Sequence, residues 1–195
     1  MKLSEINIRD PFVLSENGKY YMYGTRGAGF DVFVSDDLEE WSEPRECFDS
    51  EANNMNRGSN WAPEVHKYNG AYYMLASFTQ PSGLRGTYVL KSDSLEGPFK
   101  PHSEGAVTPH EWECIDGTLY IEDDEPYLVF CREHTRIVDG GMCYIRLNKD
   151  LTSSEGEPVT LFYASEPYYI DNVEARRKEG SHFVTDGPYM YRSKT

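Results

Sequence analysis

Three aspartates occupy one position of a repeated motif in this chain. The motif reads NIRDPFVLSENGKYYMYGT, WAPEVHKYNGAYYMLAS, IDGTLYIEDDEPYLVFC and TDGPYMYRSKT in its four copies. Seven residues before the expected turn of each copy stand Asp10, Ala62, Asp116 and Asp186. Because a repeat brings equivalent positions to equivalent places in the fold, we expect the three carboxylates to converge.

A group of three carboxylates can serve acid–base chemistry. Like charges raise each other's pKa and resist ionising together, so such a cluster is kept mainly for function. Hydrolysis of a glycosidic bond uses it: one carboxylic acid protonates the leaving oxygen while a carboxylate about 6.5–9.5 Å away activates water in inverting enzymes. A third carboxylate can orient the acid and raise its pKa. Taken singly, each aspartate has a simpler explanation, since Asp before Pro or Gly commonly caps a turn.

β-Hairpins at regular spacing must position these aspartates. Asn17-Gly18 and Asn69-Gly70 each separate two runs of strand-forming residues, and Asp123-Asp124 takes the same place in the third copy. A period of about fifty residues built from short strands is typical of β-propeller blades. The sequence therefore predicts one all-β domain, 1–195, that is a partial propeller of about three and a half blades, at about 6–44, 61–101, 113–162 and 183–195.

The predicted arc of blades does not close. A propeller has at least about four blades, and an open arc leaves an unpaired strand edge and an uncovered blade face. We therefore expect the sequence to be a fragment of a longer protein, or self-association or a second chain to complete the ring. The alternative is a smaller all-β fold that closes on itself.

The charge of the chain limits the classes of molecule that it is expected to bind. The net charge is −14, which argues against nucleic acid and anionic membrane surfaces and is compatible with neutral sugars. The sequence has no apolar run of 18 residues and no signal-peptide core at its first residues. We therefore expect a cytoplasmic protein whose four cysteines are reduced.

The motifs resemble those of glycoside hydrolase family 43. RDPF in the first copy, WAPE in the second and IDGTLY in the third are similar to the family's inner strands, and VTDGPYMYR resembles its fourth-blade motif. The resemblance covers essentially the whole chain. It implies a five-bladed propeller and an inverting enzyme that cleaves α-L-arabinofuranosyl or β-D-xylosyl linkages. By the same resemblance Asp10 is the general base, Asp116 tunes and orients the acid, and Asp186 is the acid.

Two departures concern the acid. The family motif normally has Glu-Gly-Pro, and Asp186 is one methylene shorter than Glu. A rival register places Glu179-Gly180 seven residues before the Asp-Gly turn, which would make Glu179 the acid and Asp186 a turn residue. We favour Asp186, because Asp-Gly-Pro-Tyr-Met-Tyr resembles the family strand better.

Further residues are predicted to line the substrate site. Trp61 can stack on a sugar face and Glu64 can accept its hydroxyls, although a core Trp beside a solvated Glu explains them equally well. Arg132 and His134, in VFCREHTR, can reach the top of the channel. The polar loop at 48–60 is expected to cover part of the pocket or to stay mobile. We also expect a helix at Asn172–Lys178.

The sequence also bears on cofactors and on alternative functions. No metal ligand set is apparent and no cofactor is required, although a structural Ca²⁺ can occupy the channel of such a propeller. A non-catalytic carbohydrate-binding propeller, or an inactive fragment, is the main alternative to the hydrolase. A fructan hydrolase would carry an NDPNG-like first blade, and a mannoside phosphorylase would need a basic phosphate site. The chain has neither feature.

Overall fold

Three four-stranded antiparallel sheets make up the fold of the computed structural model, which describes residues 1–55, 58–166 and 172–193. Each sheet is a meander of strands that are consecutive in the chain. Sheet one contains β1 (Arg9–Glu16), β2 (Lys19–Arg26), β3 (Gly29–Ser35) and β4 (Arg45–Asp49). Sheet two contains β5 (Asn60–Tyr68), β6 (Ala71–Thr79), β7 (Arg85–Ser92) and β8 (Lys100–Pro101). Sheet three contains β9 (Cys114–Glu122), β10 (Glu125–Arg132), β11 (Gly141–Leu147) and β12 (Ser154–Tyr163).

Short helices lie between and after the strands. A 3₁₀ helix spans Leu3–Glu5, α1 spans His134–Ile137 and α2 spans Val173–Lys178. The helix predicted at Asn172–Lys178 is thereby confirmed. No helix among the described residues is long and apolar enough to cross a bilayer.

The first hairpin of every sheet turns through two left-handed residues. The φ angles are 53° and 76° at Asn17-Gly18, 45° and 81° at Asn69-Gly70, and 50° and 62° at Asp123-Asp124. Positive φ at both central residues defines the type I′ turn, whose twist matches that of the flanking strands. Asn, Asp and Gly adopt this conformation at low cost, which is why the sequence located these three turns correctly.

Apolar side chains join the sheets face to face. Between sheets one and two, the rings of Phe30, Phe48 and Phe78 lie 5.7–5.8 Å apart in mutual contact. Between sheets two and three, Leu75 and Val89 belong to the same buried cluster as aliphatic and aromatic side chains of β10 and β11. Three twisted sheets stacked in chain order form a partial β-propeller, as the sequence predicted.

The outer faces of the arc are covered unequally. On sheet one, Met22, Phe33 and Trp41 are buried beneath the N-terminal segment, where the Trp41 N–H donates to the Met1 carbonyl at 2.7 Å. On sheet three a smaller apolar cluster includes Val129 and Met142. Nearby strand β12 exposes four apolar side chains, namely Val159, Leu161, Phe162 and Tyr163.

Two elements differ from the sequence-based expectation. The first strand predicted for a fourth blade is not formed, since residues 184–193 have no regular secondary structure. A strand requires a partner ladder, and this segment instead runs beside β9, with Gly187 near Asp116 and Arg192 bonded to Glu122. In sheet one, β4 follows Pro44, at which the first blade was expected to end.

All four cysteines are free and buried, at positions 47, 114, 131 and 143. Burial raises the pKa of each thiol, so the thiols are kept protonated and act as small apolar core residues. The expectation of reduced cysteines agrees with this arrangement.

A buried hydroxyl provides a test of the packing between sheets one and two. Tyr23, which is 0% exposed, donates its hydroxyl to the Leu95 carbonyl at 2.8 Å. We expect Tyr23→Phe to lower the free energy of unfolding by about 1–2 kcal/mol, because it leaves a buried carbonyl without its partner. Urea denaturation measures the change. Tyr20→Phe, which alters a half-buried ring on the opposite face of β2, is the control and should change stability by less; an equal loss would contradict the assignment.

Candidate active site

The backbone turns left-handed at the beginning of each inner strand. The φ angle is 53° at Asp10, 47° at Ala62 and 54° at Asp116. At each of these positions the pairing register shifts, as expected for a β-bulge. A bulge re-aims a side chain that would otherwise follow the strand's alternation. The bulges therefore place the residues at positions 10, 62 and 116 at the same end of the three inner strands, hereafter one end of the arc.

Contacts between sheets two and three hold Asp116 in place. Its N–H donates to Oγ of the buried Ser77 at 2.9 Å. The next residue, Gly117, has no room for a side chain: a Cβ there would lie 2.6 Å from Cγ2 of Thr87 and 2.8 Å from Cδ1 of Leu128. The close approach of β9 to sheet two thus depends on glycine at this position.

The last described segment brings a second carboxyl group to Asp116. The carboxyl groups of Asp116 and Asp186 lie close enough for one, when protonated, to donate to the other, and the Gly187 N–H approaches Oδ2 of Asp116 at 3.4 Å. Burial, the hydrogen bond with Asp186 and the nearby charges of Asp186 and Asp10 raise the pKa of Asp116 to about 7. Asp116 therefore keeps a proton up to about neutral pH.

The three predicted carboxylates thus lie in one place but in different surroundings. Asp116 is half-buried, whereas Asp10 and Asp186 are exposed to solvent. A carboxyl pair that retains a proton near neutral pH can donate it, and a separate solvated carboxylate can accept one from water. The arrangement can therefore perform paired acid and base chemistry.

Sheet two has Ala62 where its neighbours have aspartate, and it contributes other side chains. Trp61 is half-buried, with the Arg85 guanidinium 4.7 Å from the centre of its ring. Oε2 of Glu64 lies 3.2 Å from Nε2 of His66. Both predicted residues are on β5, beside the bulge, and their roles towards a sugar stay predictions.

Arg132 and His134 have protein partners. The guanidinium of Arg132 stacks on Trp112 at 3.9 Å. His134, the first residue of α1, has Nδ1 2.7 Å from Oε1 of Glu133. Glu179 is exposed at the C-terminal end of α2, and Asp186 is the acidic side chain that lies beside Asp116.

The polar loop at 48–60 is partly anchored. Met55 is buried in the core between sheets one and two, and the side chain of Asn60 donates to the Gly27 carbonyl at 3.3 Å. Residues 56–57 lie outside the described residues. Covering of the pocket by this loop stays a prediction.

Sequence reasoning missed an ion-pair network at the same end of the arc. Arg85, on β7, pairs with Glu113 and with Glu133, which lie at the ends of β9 and β10. The two glutamate side chains are 8% and 6% exposed. The one available signal was the position of Glu113, three residues before Asp116. The described residues contain no group of three or more His, Cys, Asp or Glu side chains able to hold a metal ion, so Ca²⁺ in the channel stays a prediction.

Comparison with known proteins decides the family. The model of glycosyl hydrolases family 43 matches residues 3–194. The chain belongs to this family. Family 43 membership agrees with the propeller arrangement of the three sheets.

Several family 43 relatives are longer than this chain. The extracellular endo-α-(1→5)-L-arabinanase 2 of Bacillus subtilis (strain 168) is 24% identical over 95% of this chain and 42% of its own length. The crystal structure of an endo-arabinase from Bacteroides thetaiotaomicron VPI-5482 matches with a TM-score of 0.80 and 38% identity, over 85% of this chain and 60% of that one. An endo-1,4-β-xylanase from the same organism matches with a TM-score of 0.66 and 30% identity, over 78% and 52%. The chain spans about two fifths of the length of the curated relatives that it matches.

The raised pKa of Asp116 gives a test in pH-dependent stability. The pKa of Asp116 is about 7 in the folded state and near 3.8 ordinarily, so between these values the folded chain keeps a proton that the unfolded chain has lost. Stability therefore falls as pH rises through this range, by at most about 1.4 kcal/mol per pH unit. In Asp116→Asn this fall should disappear. Urea unfolding from about pH 4 to about pH 8 measures it.

A second variant separates the two causes. Asp186→Asn removes the neighbouring charge that helps to raise the pKa of Asp116 but leaves its burial unchanged. The fall in stability should then occur at lower pH than in the unaltered chain. Parallel curves for the unaltered chain and Asp116→Asn would contradict the assignment.

Proposed function

We propose that this chain carries the catalytic carboxylates of an inverting glycoside hydrolase that cleaves α-L-arabinofuranosyl linkages. The single observation that supports this most is the meeting of Asp10, Asp116 and Asp186 at one end of the arc, with the pKa of Asp116 raised to about 7. Family membership gives the reaction class. The roles of the individual residues are part of the proposal.

In the proposed mechanism the proton comes from the Asp116–Asp186 pair. Asp186, exposed to solvent, donates it to the glycosidic oxygen as the bond to the anomeric carbon breaks. Asp116 is the proposed modulator, because it lies beside Asp186 and its own pKa is raised to about 7 by burial, by Asp186 and by the charge of Asp10. After the reaction the pair carries two negative charges and takes up a proton from solvent, while Asp10 releases to solvent the proton that it took from water.

Asp10 is the proposed base. It takes a proton from a water molecule that attacks the anomeric carbon on the face opposite the leaving oxygen. One bond to the anomeric carbon forms while the other breaks, so the configuration inverts. In inverting enzymes the acid and the base are held about 6.5–9.5 Å apart, which leaves room for that water.

The substrate class follows from the relatives and the charge. Relatives named for arabinan favour α-1,5-linked arabinofuranose over β-1,4-linked xylose, which one structural relative's name indicates. A net charge of −14 suits a neutral oligosaccharide. Two of the arabinanase relatives are named extracellular, while the cytoplasmic location of this chain stays a prediction, as does its association with a second chain.

A non-catalytic carbohydrate-binding propeller is the second candidate. Asp186 favours it, because the family motif it resembles normally has the longer Glu. A shorter acid reaches less far from the same backbone position, and the site could then hold a sugar without protonating it. Binding without cleavage would be the result of this candidate.

Hydrolysis assays test the proposal. The 195-residue chain, and a longer chain with the additional strands that its relatives possess, are assayed on linear α-1,5-arabinan and on the p-nitrophenyl α-L-arabinofuranoside and β-D-xyloside. Asp10→Asn should lower kcat/KM by about 10²–10⁴-fold, the usual contribution of a general base.

The control for this assay is Asp93→Asn, which alters an exposed aspartate after β7 and should leave kcat/KM unchanged. Binding of arabino-oligosaccharides without cleavage by either chain would favour the binding propeller. Full activity in Asp10→Asn would overturn the assignment of the base.

A further inference from the structure

Arg85 joins sheet two to sheet three at the end of the arc where the carboxylates meet. Its Nε pairs with Oε1 of Glu113 and its terminal nitrogen donates to Oε2 of Glu133 at 2.8 Å. Its backbone N–H also donates to Oε1 of Glu113, at 3.2 Å. The two glutamates thus contact the guanidinium on two sides and fix its plane.

The two glutamates lie at the same end of sheet three as Asp116. Glu113 precedes β9 by one residue and Glu133 follows β10 by one residue, and the Glu133 N–H donates to the Glu113 carbonyl at 2.8 Å. The Thr135 hydroxyl also donates to Oε2 of Glu133, at 3.3 Å. Carboxylates with less than a tenth of their side-chain surface exposed need compensating charge. Arg85 supplies it to both glutamates, and Nε of Arg136 lies 3.9 Å from Oε2 of Glu113.

Charge compensation alone does not explain the third contact of Arg85. The guanidinium carbon lies 4.7 Å from the centre of the Trp61 ring, so the cation occupies one face of the indole. Trp61 is half-buried beside the bulge at Ala62, so part of its surface stays open to solvent. A planar guanidinium fixed by two carboxylates holds the indole at a defined angle, which an ammonium group cannot do.

We propose that Arg85 is a positioning residue for substrate binding: clamped by Glu113 and Glu133, it holds the indole of Trp61 as a stacking platform at a fixed distance from Asp116. The hydrogen bond from the Asp116 N–H to Oγ of Ser77 also joins sheets two and three. This inference rests on the proposed function, since it assigns a sugar ring to the solvent-exposed part of Trp61.

A double-mutant cycle on sugar binding tests the inference. The probe is α-1,5-linked arabinopentaose, titrated calorimetrically into chains that all carry Asp10→Asn, so that no hydrolysis occurs. Arg85→Lys retains a positive charge between the glutamates but loses the planar stack, and should raise Kd about three- to tenfold. Trp61→Leu removes the platform and should raise Kd by about tenfold or more. In the Trp61→Leu chain, adding Arg85→Lys should have no further effect on Kd.

Arg146→Lys is the matched control. Arg146 also lies between two glutamates, Glu125 and Glu155, but it is on β11 and its side chain is half exposed. It should leave Kd unchanged. Thermal unfolding of every variant shows whether a change in Kd accompanies a loss of structure.

The outcomes distinguish the two proposals. If the Asp10→Asn chain binds arabinopentaose and Arg85→Lys leaves Kd unchanged, Arg85 is a structural ion-pair residue and the inference is wrong. Effects of Arg85→Lys and Trp61→Leu that multiply would also overturn it, because Arg85 would then act independently of Trp61. If the Asp10→Asn chain does not bind arabinopentaose at all, the proposed function has failed and this inference fails with it.

Discussion

The backbone is left-handed at Asp10, Ala62 and Asp116, at the same place in each of the three sheets. For a non-glycine residue this conformation costs about 1–2 kcal/mol, so packing elsewhere must maintain it. Ala62 carries no catalytic group and still adopts the conformation. The bulge is therefore a property of the blade, and the two aspartates use a bend that the architecture already requires. What the inner strands present to the pocket depends on that bend.

In the last described segment the left-handed residue is Gly187, at φ 45°, and Asp186 precedes it. Asp10 and Asp116 are themselves the left-handed residues, whereas Asp186 comes one residue before the left-handed Gly187. With this offset Asp186 lies beside Asp116, and its backbone neighbour, Gly187, directs an N–H to the same carboxylate. A simple repeat register would have treated the three aspartates as equivalent, and the structure makes them different.

The features that could be predicted from the sequence depend on the conformational preferences of single residues or pairs of residues. The Asn-Gly turns and the Asp-Pro and Asp-Gly steps are set by φ preferences of single residues, so the hairpins and the carboxylate cluster were readable without tertiary information. Arg85 was not, because its role depends on Glu113 and Glu133 of another sheet. The strand expected after Asp186 was wrong for a related reason: strand formation depends on a hydrogen-bonded neighbour, and the alternation of apolar residues does not supply one.

Each sheet is built from strands that follow one another in the chain, so every sheet can fold from a continuous stretch as synthesis proceeds, with little loop-closure entropy. The carboxylates behave differently, since Asp10 is in the first sheet and Asp186 comes after the third. Their meeting requires all three sheets to be docked. The hairpins depend on contacts within one sheet, whereas a site that can bind or protonate a sugar depends on every sheet being present.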